Sequence, residues 1–323
     1  MKRSSRRDVL QSVATAAVGL VAGLRWPTQQ AAAEANDVIE PVIVDAHTHF
    51  YDPTRPQGVP WPPKDNTLLY RTVLPTDFLK VASPQGIKKT IVVEASPLVE
   101  DNQWILDLAE RETSIVGFVG RLTPGEDGFA KHLVRFAKNR LFRGIRVNAA
   151  PLAAGLEEAR YLADLRRLMD LDLELDVNGG PSLLAVVARL ARELPAMRIV
   201  INHVANVRNN GRELDAEWRQ GIEAAAKGVN VFCKVSALVE GTGAKDGTAP
   251  TDVAFYRPVL DAVWNAFGED RLIYGSNWPV SDRGAPYEVV FGIVRDYFTA
   301  RGPTAAAKYF SHNALAVYKW IDR

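Results

Sequence analysis

The histidines His47 and His49 lie two residues apart at the end of an apolar segment, 42–49. β-Branched residues precede them, so the segment predicts a buried strand. Residues two apart on a strand share a face, and both imidazoles would therefore project together. Such a pair can chelate a metal or bind an anionic substrate. Asp45 would share their face, one layer lower in the strand.

A third histidine and an asparagine follow two other apolar runs. His203 ends the run Ile-Val-Ile-Asn-His, and Asn277 follows the run Leu-Ile-Tyr-Gly-Ser. The carboxyl ends of parallel strands meet at one end of a barrel. We therefore expect His47, His49 and His203 to meet beside Asn277. There they could chelate a metal or bind an anionic substrate.

Five further side chains are candidates for binding a substrate. Glu94 ends a predicted strand. Arg143 and Arg146 lie three apart on another, so only one of them, for which we prefer Arg146, would face the site and bind a carboxylate. Lys234 lies within a strand, where a buried ammonium would need a partner. Trp278 could stack on a sugar or ring face, or could serve only in packing.

Eight short, mostly apolar runs predict the strands that position these residues. They are Val42–Asp45, Thr90–Glu94, Ile115–Gly120, Gly144–Val147, Leu173–Val177, Ile199–His203, Val231–Val235 and Leu272–Gly275. Strands alternating with helical patterns favour one α/β domain, a (β/α)8 TIM-like barrel spanning residues 36–323. The alternative is an open doubly wound sheet, but the sequence has no GxGxxG or Walker loop to favour it.

Helical patterns separate most of these strands. They are Gln103–Glu112, Asp127–Lys138, Leu156–Asp170, Pro181–Leu194, Glu213–Ala226, Val253–Phe267, Pro286–Thr299 and Thr304–Ile321. Two unusually long loops, Asp52–Thr76 and Leu238–Asp252, follow the first and seventh strands. Both would lie over the face where barrel enzymes place their sites.

Residues 1–35 have the features of an export signal. Arg6 and Arg7 precede an apolar run, Val13–Leu24, which is too short to span a bilayer. Small residues near Ala33 offer cleavage sites. The segment resembles a twin-arginine signal, and an ordinary basic signal is the alternative. We expect export to the periplasm by the twin-arginine machinery, with no stable membrane span.

Charge and cysteine content exclude several classes of protein. The chain has 39 basic and 38 acidic residues, and five of the basic residues lie in the signal. The remainder is near neutral and has no basic run, which argues against nucleic acid as a partner. The single cysteine, Cys233, excludes an intrachain disulfide and a Cys-rich zinc site.

Four motifs together resemble the amidohydrolase superfamily, in its amidohydrolase-related branch. They are Asp-Ala-His-Thr-His at 45–49, Phe-Arg-Gly-Ile-Arg at 142–146, His203 at a strand end, and Gly-Ser-Asn-Trp-Pro at 275–279. Within the branch, the sequence is most similar to lactonases of the pyrone-dicarboxylate and fuconolactone type. The resemblance implies a distorted (β/α)8 barrel, with His47, His49 and His203 as metal ligands or substrate clamps.

Asn277 departs from the pattern of this family, which normally has an aspartate there to deprotonate the attacking water. An amide cannot act as a general base. Either Glu94, His203 or Asp282 accepts the proton, or the reaction needs no base at this position, or the protein binds its ligand without turnover.

These observations predict a hydrolase that opens the lactone of a sugar acid or dicarboxylic acid by water attack. The expected substrate is a small anionic or sugar-derived molecule. The expected cofactor is either none or one divalent metal, zinc before others, held by His47, His49 and His203. A metal-dependent decarboxylase or amide hydrolase is one alternative, and a non-catalytic periplasmic binder of sugar acids is another.

Overall fold

The computed structural model describes residues 42–323, so the predicted signal lies outside the described residues. Eight strands form one parallel sheet in sequential order. They are β1 (Val44–Thr48), β2 (Lys89–Val93), β3 (Ile115–Gly120), β4 (Phe142–Asn148), β5 (Glu174–Asn178), β6 (Ile199–Ile201), β7 (Val231–Val235) and β8 (Leu272–Tyr274). The predicted TIM-like barrel is confirmed.

The barrel is nearly closed by contacts just beyond the end of β8. The backbone N–H of Asn277 donates to the carbonyl of His47, and the N–H of His49 donates to the carbonyl of Trp278, both at 2.9 Å. The residues that close the barrel are thus the predicted site residues of its first and last strands.

Eleven α-helices accompany the strands within the described residues. They are α1 (Pro75–Ala82), α2 (Val99–Arg111), α3 (Phe129–Ala137), α4 (Ala149–Gly155), α5 (Ala159–Asp170), α6 (Leu183–Glu193), α7 (Ala216–Ala226), α8 (Val253–Phe267), α9 (Tyr287–Thr299), α10 (Pro303–Ala307) and α11 (Asn313–Tyr318). The sequence did not indicate α1, because it follows the long Pro-rich loop. None of these helices is long and apolar enough to cross a membrane.

The end of the barrel opposite the site is filled by the carboxyl-terminal helix. Val317 and Tyr318 of α11 are buried with Val200 and Ile273 from the strands. The Tyr318 hydroxyl donates to Asp176 at 2.7 Å. Within residues 42–323 the barrel interior is therefore a packed core with a polar centre, closed at this end.

A bulge in β1 changes which side chains face inward. Between Asp45 and Thr48 the chain advances three residues while the partner strand β2 advances two. Asp45 consequently turns away from the histidines: its carboxylate accepts hydrogen bonds from the backbone of His47 and Ser276 and from the Tyr287 hydroxyl of α9. The expectation that Asp45 shares the histidine face was wrong, because strict alternation fails at a bulge.

Candidate active site

Three imidazoles from β1 and the end of β6 meet at the mouth of the barrel. The ring centroid of His47 lies 5.0 Å from that of His49 and 4.4 Å from that of His203. All three side chains are buried, and neither ring nitrogen of His47 has a hydrogen-bond partner among the described residues. The sequence placed these residues together, and the structure does so as well.

The backbone after β6 is strained at the position of the third histidine. Four consecutive residues, His203 to Asn206, have positive φ angles between 46° and 57°. L-residues adopt this left-handed conformation at a cost, and such strain is concentrated at functional sites. The turn ends β6 at Ile201, earlier than the sequence indicated. It holds His203 against His47, and the Ser236 hydroxyl fixes the His203 ring through Nδ1 at 2.8 Å.

Asn277 connects His49 to a carboxylate that the sequence did not indicate. His49 Nε2 lies 3.2 Å from Asn277 Oδ1, and Asn277 Nδ2 donates to Glu240 Oε1 at 2.6 Å. Asn277 itself has a φ of 63°. Glu240 is partly exposed as a residue, but its Oε2 atom is buried without a partner among the described residues. A buried carboxylate oxygen in this state requires a hydrogen-bond donor.

A second polar group links β2 to β4. Arg146 donates from Nε to Glu94 Oε1 and from Nη2 to the Glu94 carbonyl, both at 2.8 Å. Arg121, just after β3, donates to the same Oε1 at 3.4 Å. Glu94 therefore fixes two guanidinium groups at the mouth of the barrel.

Glu94, Arg121 and Arg146 line a cleft of about 450 Å³ together with His49, His203, Asn277 and Glu240, whereas His47 is fully buried and does not line it. One wall is a row of amides, in which Asn178 donates to Asn148 at 3.3 Å and Asn206 donates to Asn178 at 3.2 Å. Trp61, from the first long loop, also lines the cleft, and its ring lies 5.9 Å from that of His49. Both long loops contribute to the site, Trp61 from one and Glu240 from the other.

Burial sets the charge state of these groups. It lowers the pKa of His49 from 6.5 to about 4, and Arg146 adds to this effect. Burial likewise lowers the pKa values of His47 and His203 well below the ordinary value. Burial raises the pKa of Glu240 to about 7. At neutral pH the imidazoles are therefore uncharged, and Glu240 is poised to gain or lose a proton.

Three predicted substrate-binding residues do not line the cleft. Arg143 donates to the carbonyl of Tyr318 at 2.7 Å, at the opposite end of the barrel, because residues three apart on β4 face opposite ways. Lys234 is fully buried and donates to Asp176 at 2.9 Å. Trp278 is buried and packs against Phe78.

The structure also separates the residues considered as proton acceptors. Glu94 and His203 line the cleft, whereas Asp282 does not and pairs with Arg71 at 3.6 Å. Glu240 was missed because a single glutamate in a Gly/Thr-rich loop carries no pattern. The one available signal was the placement of that loop after the seventh strand. Asn178 ends β5 and Arg121 follows β3, so position at a strand end could have indicated both.

The predicted three-histidine metal centre is not formed by the described residues. Among residues 42–323, no group of three His, Cys, Asp or Glu side chains is arranged to hold a metal ion. The rings of His47 and His203 pack against each other at 4.4 Å, and Ser236 engages Nδ1 of His203. The nearby amide of Asn277 brings no negative charge to a cation.

Comparison with known proteins places this arrangement in a family. Residues 44–320 match a family model described as amidohydrolase. An L-fucono-1,5-lactonase of Burkholderia ambifaria is 31% identical over 293 residues, which cover 87% of this chain and 96% of the relative.

Solved structures extend the comparison. An amidohydrolase from Burkholderia multivorans with bound zinc is 25% identical, with a TM-score of 0.77 over 87% of this chain and 100% of that one. A probable 2-pyrone-4,6-dicarboxylic acid hydrolase from Acinetobacter baumannii, with citric acid bound, has a TM-score of 0.67 at 16% identity, over 86% of this chain and 99% of that one. At that identity the likeness shows the fold alone.

Proposed function

This chain belongs to the amidohydrolase family and is a hydrolase, and we propose that it opens the lactone ring of a sugar acid by water attack. The cleft at the mouth of the barrel supports the proposal, because its lining includes the uncharged imidazoles of His49 and His203 and the guanidinium group of Arg146. The similarity to L-fucono-1,5-lactonases supports a six-membered sugar lactone as the substrate.

The charge that develops on the lactone carbonyl needs donors in a partly buried site. His203 lines the cleft with its Nδ1 already engaged by Ser236, which leaves Nε2 for the substrate. Arg146 is held by Glu94 through Nε and Nη2, so its Nη1 remains for the carbonyl oxygen. A donor fixed in advance stabilises the tetrahedral intermediate more effectively than mobile water.

The amide row favours a polyhydroxylated substrate over a dicarboxylate. Asn148, Asn178 and Asn206 supply neutral donors and acceptors that suit sugar hydroxyls. Glu94, by contrast, already neutralises one of the two guanidinium charges of Arg121 and Arg146, which leaves less positive charge for the two carboxylates of a dicarboxylate. Trp61 adds an aromatic edge for the apolar face of a sugar ring.

A hydrolysis screen near neutral pH tests this proposal. We expect purified protein to hydrolyse L-fucono-1,5-lactone and related sugar lactones, and to leave 2-pyrone-4,6-dicarboxylate unchanged. Asn178→Ala should raise KM for the sugar lactone about threefold to tenfold, because it removes hydrogen bonds each worth roughly 0.5–1.5 kcal/mol. Asn265→Ala, at an exposed position of α8, is the matched control.

Other outcomes would favour the alternatives. Stoichiometric zinc in the purified protein, with activity lost on chelation, would favour a metal-dependent decarboxylase or amide hydrolase. Tight binding of a sugar acid without turnover would favour a binding protein.

We also propose that residues 1–35 direct export to the periplasm by the twin-arginine route. The paired Arg6 and Arg7 ahead of a short apolar run support this. Cell fractionation of the full chain tests it. Replacing both arginines by lysine should retain the protein in the cytoplasm, and unchanged export of that variant would contradict the proposal.

A further inference from the structure

We propose that Glu240, held in place by Asn277, is the general base that deprotonates the attacking water. This inference rests on the proposed function. It explains how the site can work with an amide where related proteins are expected to carry a carboxylate: the carboxylate comes from the loop after β7 instead of from the end of β8.

The position of the Glu240 carboxylate supports this role. One oxygen, Oε1, accepts a hydrogen bond from Asn277, while the other, Oε2, is buried without a partner among the described residues. Glu240 and Asn277 both line the cleft, as do His49 and His203. Oε2 has almost no exposed surface in the observed side-chain conformation, so a small rotation of the Glu240 carboxylate must turn it into the cleft. There Oε2 would bind the attacking water beside the groups that hold the lactone carbonyl.

The loop that carries Glu240 is held by its backbone. The N–H of Gly241 donates to the carbonyl of Ala237 at 3.1 Å, and the N–H of Asn209, from the loop after β6, donates to the carbonyl of Gly241 at 2.9 Å. A Cβ atom at position 241 would lie 2.8 Å from the carbonyl oxygen of Val207, so this close approach requires glycine. Glu240 is thus presented at a fixed point of the mouth.

The proton positions around Asn277 are consistent with a base that cycles between two states. His49 Nδ1 faces the carbonyl of Val93 at 2.9 Å and must donate to it, so Nε2 of the uncharged ring is an acceptor. When Glu240 is protonated, a half-turn of the Asn277 amide lets Nδ2 donate to His49 and lets Oδ1 accept from Glu240. When Glu240 is ionised, Nδ2 donates to the carboxylate, as in the observed orientation. Asn277 Oδ1 then faces His49 Nε2 at 3.2 Å, and because both atoms are acceptors this contact disfavours the ionised form.

The surroundings of Glu240 adjust its proton affinity. Burial raises its pKa to about 7, and the hydrogen bond from Asn277 opposes that rise. Arg283 lowers the pKa and Asp282 raises it, both from the segment after β8. Burial and, after it, the charge of Glu240 raise the pKa of Tyr256 in α8. A base with a pKa near the working pH is well matched to proton transfer.

In this step Glu240 alone accepts the proton from water and later returns it to the leaving group. Glu240 Oε2 takes a proton from water as the water oxygen bonds to the lactone carbonyl carbon, and the carbonyl π electrons move to the carbonyl oxygen. The tetrahedral intermediate then re-forms the carbonyl, and the ring C–O bond breaks. Protonated Glu240 returns the proton to the departing alkoxide, which yields a hydroxy acid and restores the carboxylate.

Kinetics of Glu240→Gln and of Glu240→Gln/Asn277→Asp test the proposal. We expect the single variant to lose at least 100-fold in kcat with little change in KM, which is the usual range for removing a general base. The double variant returns the carboxylate to position 277 and should regain at least tenfold. The acidic limb of the wild-type pH–kcat/KM profile should have its midpoint near pH 7 and should be absent in the single variant.

Controls separate the possible failures. Glu213→Gln, at an exposed position, should leave activity and pH profile unchanged. A Glu240→Gln variant within threefold of wild type, with the same pH profile, would overturn the role of Glu240 alone. Wild type without any lactone hydrolysis would overturn the proposed function and this role with it. If Glu240→Gln does not fold, Glu240→Asp should fold with reduced kcat and keep the acidic limb, and full activity without the acidic limb would overturn the assignment.

Discussion

Arg146 donates two hydrogen bonds to Glu94, from Nε to the carboxylate and from Nη2 to the main-chain carbonyl, both at 2.8 Å. The two contacts join β4 to β2 across the end of the intervening strand, so the guanidinium plane has one orientation. A bidentate arginine of this kind positions a donor far better than a flexible lysine could. Arg146 and Glu94 thus form an ion pair that also lines the substrate cleft.

Replacing Arg146 should therefore impair catalysis. We expect Arg146→Ala to lower kcat/KM for a sugar lactone about 100-fold, because removing one fixed donor to a developing oxyanion costs roughly 2.7–4 kcal/mol or somewhat less at a partly solvated site. Steady-state kinetics measure the effect. Arg146→Lys should restore little, since it loses the bidentate geometry.

Arg143 provides the matched control on the same strand. Its guanidinium contacts the carbonyls of Tyr318 and Arg140, away from the cleft. Arg143→Ala should keep kcat/KM within about twofold while lowering stability. If the two alanine variants reversed their effects, the placement of these arginines relative to the substrate would be contradicted.

Lys234 should matter for stability and not for substrate binding. The ammonium is fully buried, pairs with Asp176 and lies 5.0 Å from the Tyr318 ring. Glu174 is buried nearby, and burial beside Asp176 raises its pKa well above the ordinary value. Lys234→Met leaves Asp176 without its cation, so we expect the free energy of unfolding to fall by about 3–5 kcal/mol in urea titrations.

The double variant Lys234→Met/Asp176→Asn removes both charges and should recover part of that loss. KM for the lactone should stay near the wild-type value in whichever variants fold. A stable Lys234→Met protein with a strongly raised KM would contradict this prediction and would support the substrate-binding role that the sequence suggested for Lys234.

Much of the fold could be predicted because buried parallel strands leave a strong signal. The bounds of β3 and β7 and of the helix α8 agree with the sequence prediction. The bounds of β1 and β6 do not, since a bulge and a left-handed turn alter those strand ends. Both irregularities lie beside the histidines. There the strand does not keep strict alternation and the backbone takes an uncommon conformation, which sequence patterns do not predict.

The site was predicted in part for a similar reason. Side chains at strand ends, such as His49 and Asn277, could be placed because the barrel brings strand ends together. Glu240 could not, because its position depends on the path of a long loop. Lys234 was misplaced, and packing or stacking stayed open for Trp278, because sequence alone does not distinguish the packed interior of a barrel from its open mouth.

The buried histidines should make the protein sensitive to acid at a pH above the range in which ordinary carboxylates titrate. The folded-state pKa of His49, about 4, lies below its ordinary value of 6.5. Between these two pH values the unfolded chain therefore binds a proton at this histidine that the native state does not bind. The stabilising contribution is complete above pH 6.5 and is lost as the pH falls towards 4. At pH 5 the loss from this residue is about 2 kcal/mol. His47 and His203 act in the same direction.

The difference in the free energy of unfolding between pH 7 and pH 5, measured by urea titration, should be smaller for His49→Gln than for wild type, by about 2 kcal/mol. His312→Gln, at an exposed position, should behave as wild type. An equal acid sensitivity in wild type and His49→Gln would mean that His49 takes up its proton without unfolding.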